Sequence, residues 1–134
     1  VDHIDIIGIN EYYGWYEPDF SKLVALFDNS RPAKPVVICE FGADAVAGLH
    51  GAADELFTEE NQVAVYRRQL DVLARIAYIK GISPWILYDF RCPRRLHANH
   101  GYHNRKGLLD ETRTRRKLAF AELQRFYAQT GPTG

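Results

Sequence analysis

Apolar residues gather in three short runs along the chain, and stretches with a helical repeat lie between and after these runs. The runs are Ile4 to Asn10, Val36 to Gly42 and Ile82 to Phe90. They are rich in valine and isoleucine without clean alternation, which is typical of parallel strands that are covered on both faces. The pattern therefore predicts three strands of one parallel sheet.

Apolar positions at helical spacing predict three helices. The predicted ranges are Asp19 to Asn29, Glu59 to Lys80 and Arg115 to Tyr127. Thr58 is placed to cap the second helix, and Gly81 is a suitable residue to end it. The proline-containing segment 31–35 breaks the chain after the first helix, and the Gly-Pro-Thr-Gly tail stops the third.

The predicted order β-α-β-α-β-α indicates an α/β fold with parallel crossovers. An open doubly wound sheet and a barrel both have this order. Each apolar run ends in polar or ionisable side chains, namely Asn10-Glu11, Glu40 and Asp89, and barrel enzymes keep their chemistry at the carboxyl ends of their strands. No glycine-rich phosphate loop follows a strand. Three strands would also leave two unpaired edges, so we expect about five more strands upstream.

Composition limits the classes of protein further. Lys+Arg and Asp+Glu both number 17, which argues against a nucleic-acid or membrane-surface protein. No apolar run approaches the ~20 residues that cross a bilayer. The chain contains no methionine and begins at Val1 inside an apolar stretch, so we interpret it as an internal piece of a longer protein. Cys39 and Cys92 do not make a disulfide framework; we expect two buried or half-buried thiols and favour a cytoplasmic location.

Three segments together resemble the last third of a known catalytic barrel. They are Ile9-Asn10-Glu11-Tyr12-Tyr13-Gly14-Trp15-Tyr16; Ile38-Cys39-Glu40-Phe41-Gly42-Ala43-Asp44 with Ala47-Gly48-Leu49-His50; and Pro84-Trp85-Ile86-Leu87-Tyr88-Asp89-Phe90 with Asn104-Arg105-Lys106-Gly107. In order and spacing they are similar to the sixth, seventh and eighth strands of family 2 glycoside hydrolases, among the β-glucuronidase and β-galactosidase-like members. The resemblance implies that residues 1–134 form a partial TIM-barrel catalytic domain, namely strands 6 to 8 with their helices. The upstream barrel strands and β-domains would be absent.

By this resemblance the chain belongs to a retaining exo-β-glycosidase, with Glu40 as the nucleophile that forms a glycosyl-enzyme and Tyr12 as its orienting partner. A retaining mechanism needs a second carboxyl group about 5 to 5.5 Å away. In the family that acid/base glutamate lies on the fourth strand, outside this sequence, so we expect the isolated chain to be inactive. Glu11 is an alternative proton donor, because a neighbouring strand could bring two carboxylates together. It stands where the family usually has arginine.

The same resemblance implies a sugar pocket. Trp85 would form its floor, since an aromatic face suits a pyranose, and Asn10 would line it. Asn104 and Lys106 would hold the carboxylate of a uronic acid, because recognition of a uronate needs a cation beside an amide. We therefore expect a terminal β-linked uronic acid as the substrate, as in β-glucuronidases. A β-galactosidase, a β-galacturonidase and a non-catalytic carbohydrate-binding barrel fragment remain alternatives.

Two further patterns are not assigned a function of their own. His97, His100 and His103 recur every three residues, but no helix aligns them, so we expect no metal site and interpret them as loop or aglycone-side contacts. The basic stretch from Arg91 to Lys117 is interpreted as a face beside a pocket for an anionic sugar rather than a nucleic-acid site.

Both steps of the expected reaction need only carboxyl groups and water, so no cofactor is implied. The expected partners are the carbohydrate and the rest of the parent chain, with no nucleic acid or membrane; a homo-oligomer is left open.

Overall fold

The computed structural model describes residues 3–130 and has a three-stranded parallel sheet at its centre. The strands are β1 (Ile7–Asn10), β2 (Val36–Glu40) and β3 (Ile79–Ile82), in the order β1-β2-β3, and the helices are α1 (Ser21–Ser30), α2 (Glu59–Leu73) and α3 (Leu118–Thr130). The two-residue strands β4 (Phe90–Arg91) and β5 (His103–Asn104) pair antiparallel. The predicted alternation of strands and helices is confirmed, while the Gly-Pro-Thr-Gly tail lies outside the described residues. No helix between residues 3 and 130 is long and apolar enough to cross a membrane.

The core lies between the sheet and the helices. Val36 and Ile38 of the central strand are fully buried in a cluster with Phe27 of α1, Tyr66 of α2 and Ala119 of α3. Removal of these apolar side chains from water is the main driving force for this packing. The other apolar positions of β2 are less covered than the apolar pattern predicted, since Val37 is half-buried and Cys39 is exposed.

The start of α2 agrees with the sequence. The Thr58 hydroxyl accepts a hydrogen bond from the Asn61 backbone N–H at 3.0 Å, and Glu59 and Glu60 occupy the first turn. This cap satisfies a backbone donor that has no partner within the helix, and negative charge is favourable at this end of a helix. The predicted capping role of Thr58 is confirmed.

The predicted end of the second helix is wrong. The helix stops at Leu73 instead of Lys80, and Gly81 lies inside β3 rather than after a helix. The Tyr78 carbonyl accepts a hydrogen bond from the Val36 N–H at 2.8 Å, which draws this segment alongside β2. Ile76 and Ile79 fit a helical repeat as well as an apolar strand. Pairing with β2 therefore decides whether this segment is a helix or a strand.

The predicted third strand is displaced for the same reason. Regular pairing with β2 ends at Ile82, where the prediction began a strand. The chain continues beside β2 irregularly, with the Ser83 N–H donating to Ile38 O at 2.8 Å and the Trp85 N–H to Phe41 O at 2.9 Å. Pro84 between them has no N–H to donate, so the ladder is interrupted.

Two other element boundaries differ from the prediction. Pairing of β1 begins where the Ile7 N–H donates to Pro35 O at 3.0 Å, so the segment from Ile4 precedes the strand. The last helix begins at Leu118 rather than Arg115, because the Arg115 N–H is held at 3.2 Å by the carboxylate of Asp110 in a preceding loop.

Both cysteines are free, but Cys39 is exposed rather than buried or half-buried. It lies at an irregularity in the pairing of β1 with β2: Ile9 is opposite Ile38, and Asn10 is opposite Glu40. Cys39 is therefore an extra residue in β2. Its sulfur lies over Gly8, where a Cβ atom would come within 2.9 Å of it.

A groove of about 420 Å³ borders β3. Its lining residues come from the end of α2 and its following turn, from β3 and from α3; they are Leu73, Ala74, Ile76, Ile79, Lys80, Gly81, Ile82, Phe126, Tyr127 and Thr130. No predicted site residue is among them. Within residues 3–130, β1 and β3 each pair with only one other strand.

Candidate active site

Glu40 lies at the carboxyl end of the central strand and is partly exposed. The Tyr12 hydroxyl donates a hydrogen bond to Glu40 Oε2 at 2.8 Å. Burial, together with this contact to a carboxylate, raises the pKa of Tyr12 far above its ordinary value. Tyr12 therefore remains a proton-bearing donor at neutral pH. The structure brings the two predicted catalytic residues into direct contact.

Glu11 does not share this contact. Its carboxylate accepts hydrogen bonds from Gln69 Nε2 of α2 at 2.9 Å and from the Tyr13 N–H at 3.0 Å, while its own N–H donates to Glu40 O at 2.9 Å. Burial raises the pKa of Glu11 and outweighs the opposing effect of the two hydrogen bonds. Since the carboxylate is directed at a helix, the alternative of Glu11 as the proton donor loses its support.

Asn104 ends β5, and Lys106 lies two residues further on, in the loop after it. The Lys106 N–H donates to Asn104 Oδ1 at 3.1 Å. The Lys106 ammonium is 1% exposed, pairs with the Asp44 carboxylate and donates to the Tyr16 hydroxyl at 3.0 Å. The predicted cation is therefore present, but the carboxylate of Asp44 balances its charge. Sequence reasoning included Asp44 in a motif without giving it this role.

Aromatic rings connect Lys106 to Glu40. Lys106 Nζ lies 4.7, 5.2 and 5.6 Å from the ring centroids of Tyr16, Trp15 and Tyr12, respectively. The Tyr12 and Tyr16 rings are 5.4 Å apart, edge to face. Aromatic faces attract a cation. Tyr12 thus contacts Glu40 with its hydroxyl and faces Lys106 with its ring.

Arg95 adds a second cation that the sequence reasoning missed. Its Nη2 donates to the Tyr16 hydroxyl at 2.8 Å, so Tyr16 accepts from both Arg95 and Lys106. Burial raises the pKa of Tyr16, but these two hydrogen bonds outweigh it, and the net shift is downward. Around the Tyr16 hydroxyl, two cations face the one carboxylate of Asp44, which leaves a local surplus of positive charge, while the Glu40 carboxylate lies beyond the Tyr12 ring. The only sequence signal for Arg95 was its place in the basic stretch from Arg91 to Lys117.

Trp85 and Asn10 lie beside β2, the strand that ends at Glu40. Trp85 is half-buried, and its N–H donates to Phe41 O, next to Glu40, at 2.9 Å. Gly42 allows this close approach: its φ is +142°, and a Cβ there would lie 2.9 Å from Trp85 O. Asn10 is exposed and is the register partner of Glu40. Trp85 and Asn10 therefore both pair with the backbone at or next to Glu40.

His97 and His100, which lie between β4 and β5, pack around Phe57. His97 stacks on Phe57 with ring centroids 5.1 Å apart, and His100 meets the same ring edge-on at 5.0 Å. His100 is buried, its Nε2 lies 3.6 Å from Asp44 Oδ1, and burial lowers its pKa. His103 turns to Gly101 O. In the part of the chain that the structure describes, no group of three or more His, Cys, Asp or Glu side chains could hold a metal ion.

The arrangement at the strand ends can be compared with known enzymes. The model of the family described as "Glycosyl hydrolases family 2, TIM barrel domain" matches residues 1–129. The chain belongs to glycosyl hydrolase family 2. The predicted family is thereby confirmed, and the three-stranded parallel sheet is part of a TIM-barrel-type α/β domain.

Individual members of family 2 resemble the chain over most of its length. The beta-glucuronidase of Paenibacillus borealis is 35% identical over 129 residues, which is 90% of this chain and 21% of that protein. The structure of the Faecalibacterium prausnitzii beta-glucuronidase superposes with a TM-score of 0.82 at 33% identity, over 98% of this chain and 23% of that one. A beta-galacturonidase from Eisenbergiella tayi bound to galacturonate gives a TM-score of 0.82 at 28% identity, over 95% and 24%. The chain spans about a fifth of the length of the curated relatives.

Proposed function

We propose that the chain supplies strands 6 to 8 of the catalytic (β/α)8 barrel of a longer retaining exo-β-glycosidase that removes a terminal β-linked uronic acid. In this proposal Glu40 attacks the anomeric carbon and forms the glycosyl-enzyme. Tyr12 orients the Glu40 carboxylate, and Trp85 and Asn10 line the sugar pocket. Lys106 and Asn104 contact the sugar carboxylate.

The observation that carries the proposal is the bridge made by Tyr12. Its hydroxyl binds Glu40 at 2.8 Å, and its ring lies 5.6 Å from Lys106 Nζ. A nucleophile must be held close to the reacting carbon, and a recognition cation must be held at another part of the same sugar. One rigid aromatic side chain between Glu40 and Lys106 fixes their separation and thus supports a single sugar subsite.

The charge of the site supports an anionic sugar. Lys106 and Arg95 both donate to Tyr16, and Asp44 balances only one of them. A substrate carboxylate would neutralise the surplus charge, and hydrogen bonds between charged groups are stronger than neutral ones. The relatives include beta-glucuronidases and a beta-galacturonidase, whose sugars both carry a carboxylate. A β-galacturonide is therefore the second candidate substrate, ahead of a neutral β-galactoside.

The proton donor is proposed to come from outside this chain. Within residues 3–130 the strands β1 and β3 have an unpaired edge each, and an apolar groove borders β3. Unpaired edges with apolar surface beside them are the places where further barrel strands and helices would pack. The acid/base carboxyl would then stand opposite Glu40 on one of those strands.

The test is made in the complete enzyme, with chromogenic β-glucuronide, β-galacturonide and β-galactoside substrates. We expect hydrolysis of a uronide and loss of turnover in Glu40→Gln, with sugar binding retained, because the amide keeps the shape but cannot attack. Glu17→Gln is the matched control, since Glu17 forms a surface ion pair with Lys22. Unaltered turnover in Glu40→Gln would refute the assignment of the nucleophile. Absence of any turnover in the unmodified enzyme, with sugar binding intact, would favour the carbohydrate-binding alternative.

A further inference from the structure

Lys117 is a buried cation away from the proposed sugar subsite. It immediately precedes α3 and is 1% exposed. Burial of a lysine ammonium is unfavourable unless the charge is paired and all donors are satisfied. The contacts of the Lys117 ammonium therefore show how its buried charge is compensated.

All three donors of the Lys117 ammonium have acceptors. Nζ lies 2.7 Å from Asp89 Oδ1, 2.6 Å from Ala45 O and 2.8 Å from Arg105 O. An ammonium has three N–H groups, so this set is complete. Lys117 consequently has no donor left for a ligand and acts only within the protein.

The acceptors of Lys117 lie on both sides of the ion pair between Asp44 and Lys106. Ala45 follows Asp44, and Arg105 precedes Lys106. The two segments also bind each other directly, through Ala45 N–H to Arg105 O at 2.9 Å and Arg105 N–H to Asp44 Oδ1 at 2.9 Å. Lys117 therefore joins the backbone that carries the carboxylate to the backbone that carries the cation.

Asp89 extends this junction to the other side of Lys106. Its Oδ1 accepts from the Gly107 N–H at 2.9 Å as well as from Lys117. A Cβ at Gly107 would lie 2.2 Å from Asp89 N, so only glycine permits this packing. The residues before and after Lys106 are thus both fixed, one by Lys117 and the other by Asp89.

We infer that Lys117 is a positioning residue for the cationic end of the sugar subsite: it holds the backbone of residues 44–45 and 105–107 so that Lys106 and Asn104 present their donors to a sugar carboxylate. The inference rests on the proposed function. It assigns a role in substrate recognition to a residue that touches neither substrate nor nucleophile.

The test compares Lys117→Met with unmodified complete enzyme by steady-state kinetics on the uronide that it hydrolyses. We expect KM to rise about tenfold with kcat unchanged, because the carboxylate contact loses alignment while Glu40 and Tyr12 keep theirs. Lys22→Met is the matched control, since Lys22 is an exposed lysine paired with Glu17. It should leave both constants as they are.

A double variant covers the case in which Lys117→Met does not fold. Asp89→Asn with Lys117→Met removes the buried pair together, and the same rise in KM is expected. Three outcomes would each overturn the local role given to Lys117. They are a fall in kcat as large as the rise in KM, no change in either constant, and failure of both variants to fold. If the unmodified enzyme hydrolyses no uronide, the proposed function fails; if it does and the variants keep its KM, only the present inference fails.

Discussion

At the scale of single residues, buried ionisable side chains are the distinguishing feature of this chain. Asp44, Asp89, Lys106 and Lys117 are each no more than 1% exposed. Removal of charges from water is costly, so each is retained only with a partner and further hydrogen bonds. Glu11 differs from them, because its Oε1 is buried and has no hydrogen-bond partner among the described residues.

Replacement of Glu11 by glutamine tests whether its burial is unfavourable when it is charged. Burial raises the folded-state pKa of Glu11 above its ordinary value of 4.5, so the folded state binds this proton more tightly than the unfolded state. The contribution of Glu11 to stability is therefore complete below that value and is lost as pH rises through the folded pKa. Glu11→Gln, which does not titrate, should raise the thermal midpoint at neutral pH.

The comparison requires melting curves of the complete enzyme and of Glu11→Gln across the pH range from 4 to 8. The advantage of the variant should grow with pH from about 4.5 upward. A difference in midpoint that does not vary with pH would show that Glu11 does not titrate differently in the folded state.

The residues predicted from sequence and those missed differ in how far along the chain their partners lie. Glu40 and Tyr12 belong to short motifs at strand ends, and the resemblance of these motifs to family 2 predicted that they lie together. Arg95 and Lys117 depend on contacts between loops that are distant in sequence, with Tyr16 and with Ala45, respectively. Periodicity carries no information on such contacts.

At the scale of elements, the loops after the strands carry more of the candidate site than the strands do. Asp44 follows β2, Arg95 lies between β4 and β5, and Lys106 follows β5. Surface loops that a rigid scaffold positions commonly hold binding residues. The third strand was predicted too late for a related reason, because tertiary pairing with β2, rather than local preference, determines where β3 begins.

The contribution of the loop ion pair to substrate recognition can be tested with a paired substitution. Replacement of Lys106 alone would leave the Asp44 carboxylate buried without a partner, so Lys106→Met is combined with Asp44→Asn. We expect KM for a uronide to rise about 10- to 100-fold, because the variant loses a hydrogen bond between the sugar carboxylate and a charged group.

Asp44→Asn alone is the control for this pair, because it keeps the cation. A double variant that still prefers the uronide over the corresponding neutral glycoside would contradict the assignment of Lys106 to the sugar carboxylate.

At the scale of the whole molecule, the chain is a set of three parallel strands with helices packed on them and an unpaired edge on each side within residues 3–130. Strand edges in proteins are normally paired with further strands or covered. The family and its parallel strand order followed from the sequence, whereas no pattern within 134 residues could specify the neighbours that would cover β1 and β3.

The 134 residues alone should not hydrolyse any of the three chromogenic substrates, because cleavage with retention needs a proton donor opposite Glu40. The measurement is an assay of the purified chain beside the complete enzyme at equal concentration. Hydrolysis by the chain that disappears in Glu40→Gln would mean that the donor lies within these residues.

The unpaired residue Cys39 in the central strand has a consequence for the direction of the Glu40 side chain. Side chains alternate between the two sides of a strand, and a shift of one residue reverses every later one. If Cys39 paired with Asn10 instead, Glu40 would stand opposite Glu11 and share the side where Glu11 meets Gln69, and Tyr12 could no longer reach it. One unpaired amino acid therefore determines whether this acidic group faces a helix or the Tyr12 hydroxyl.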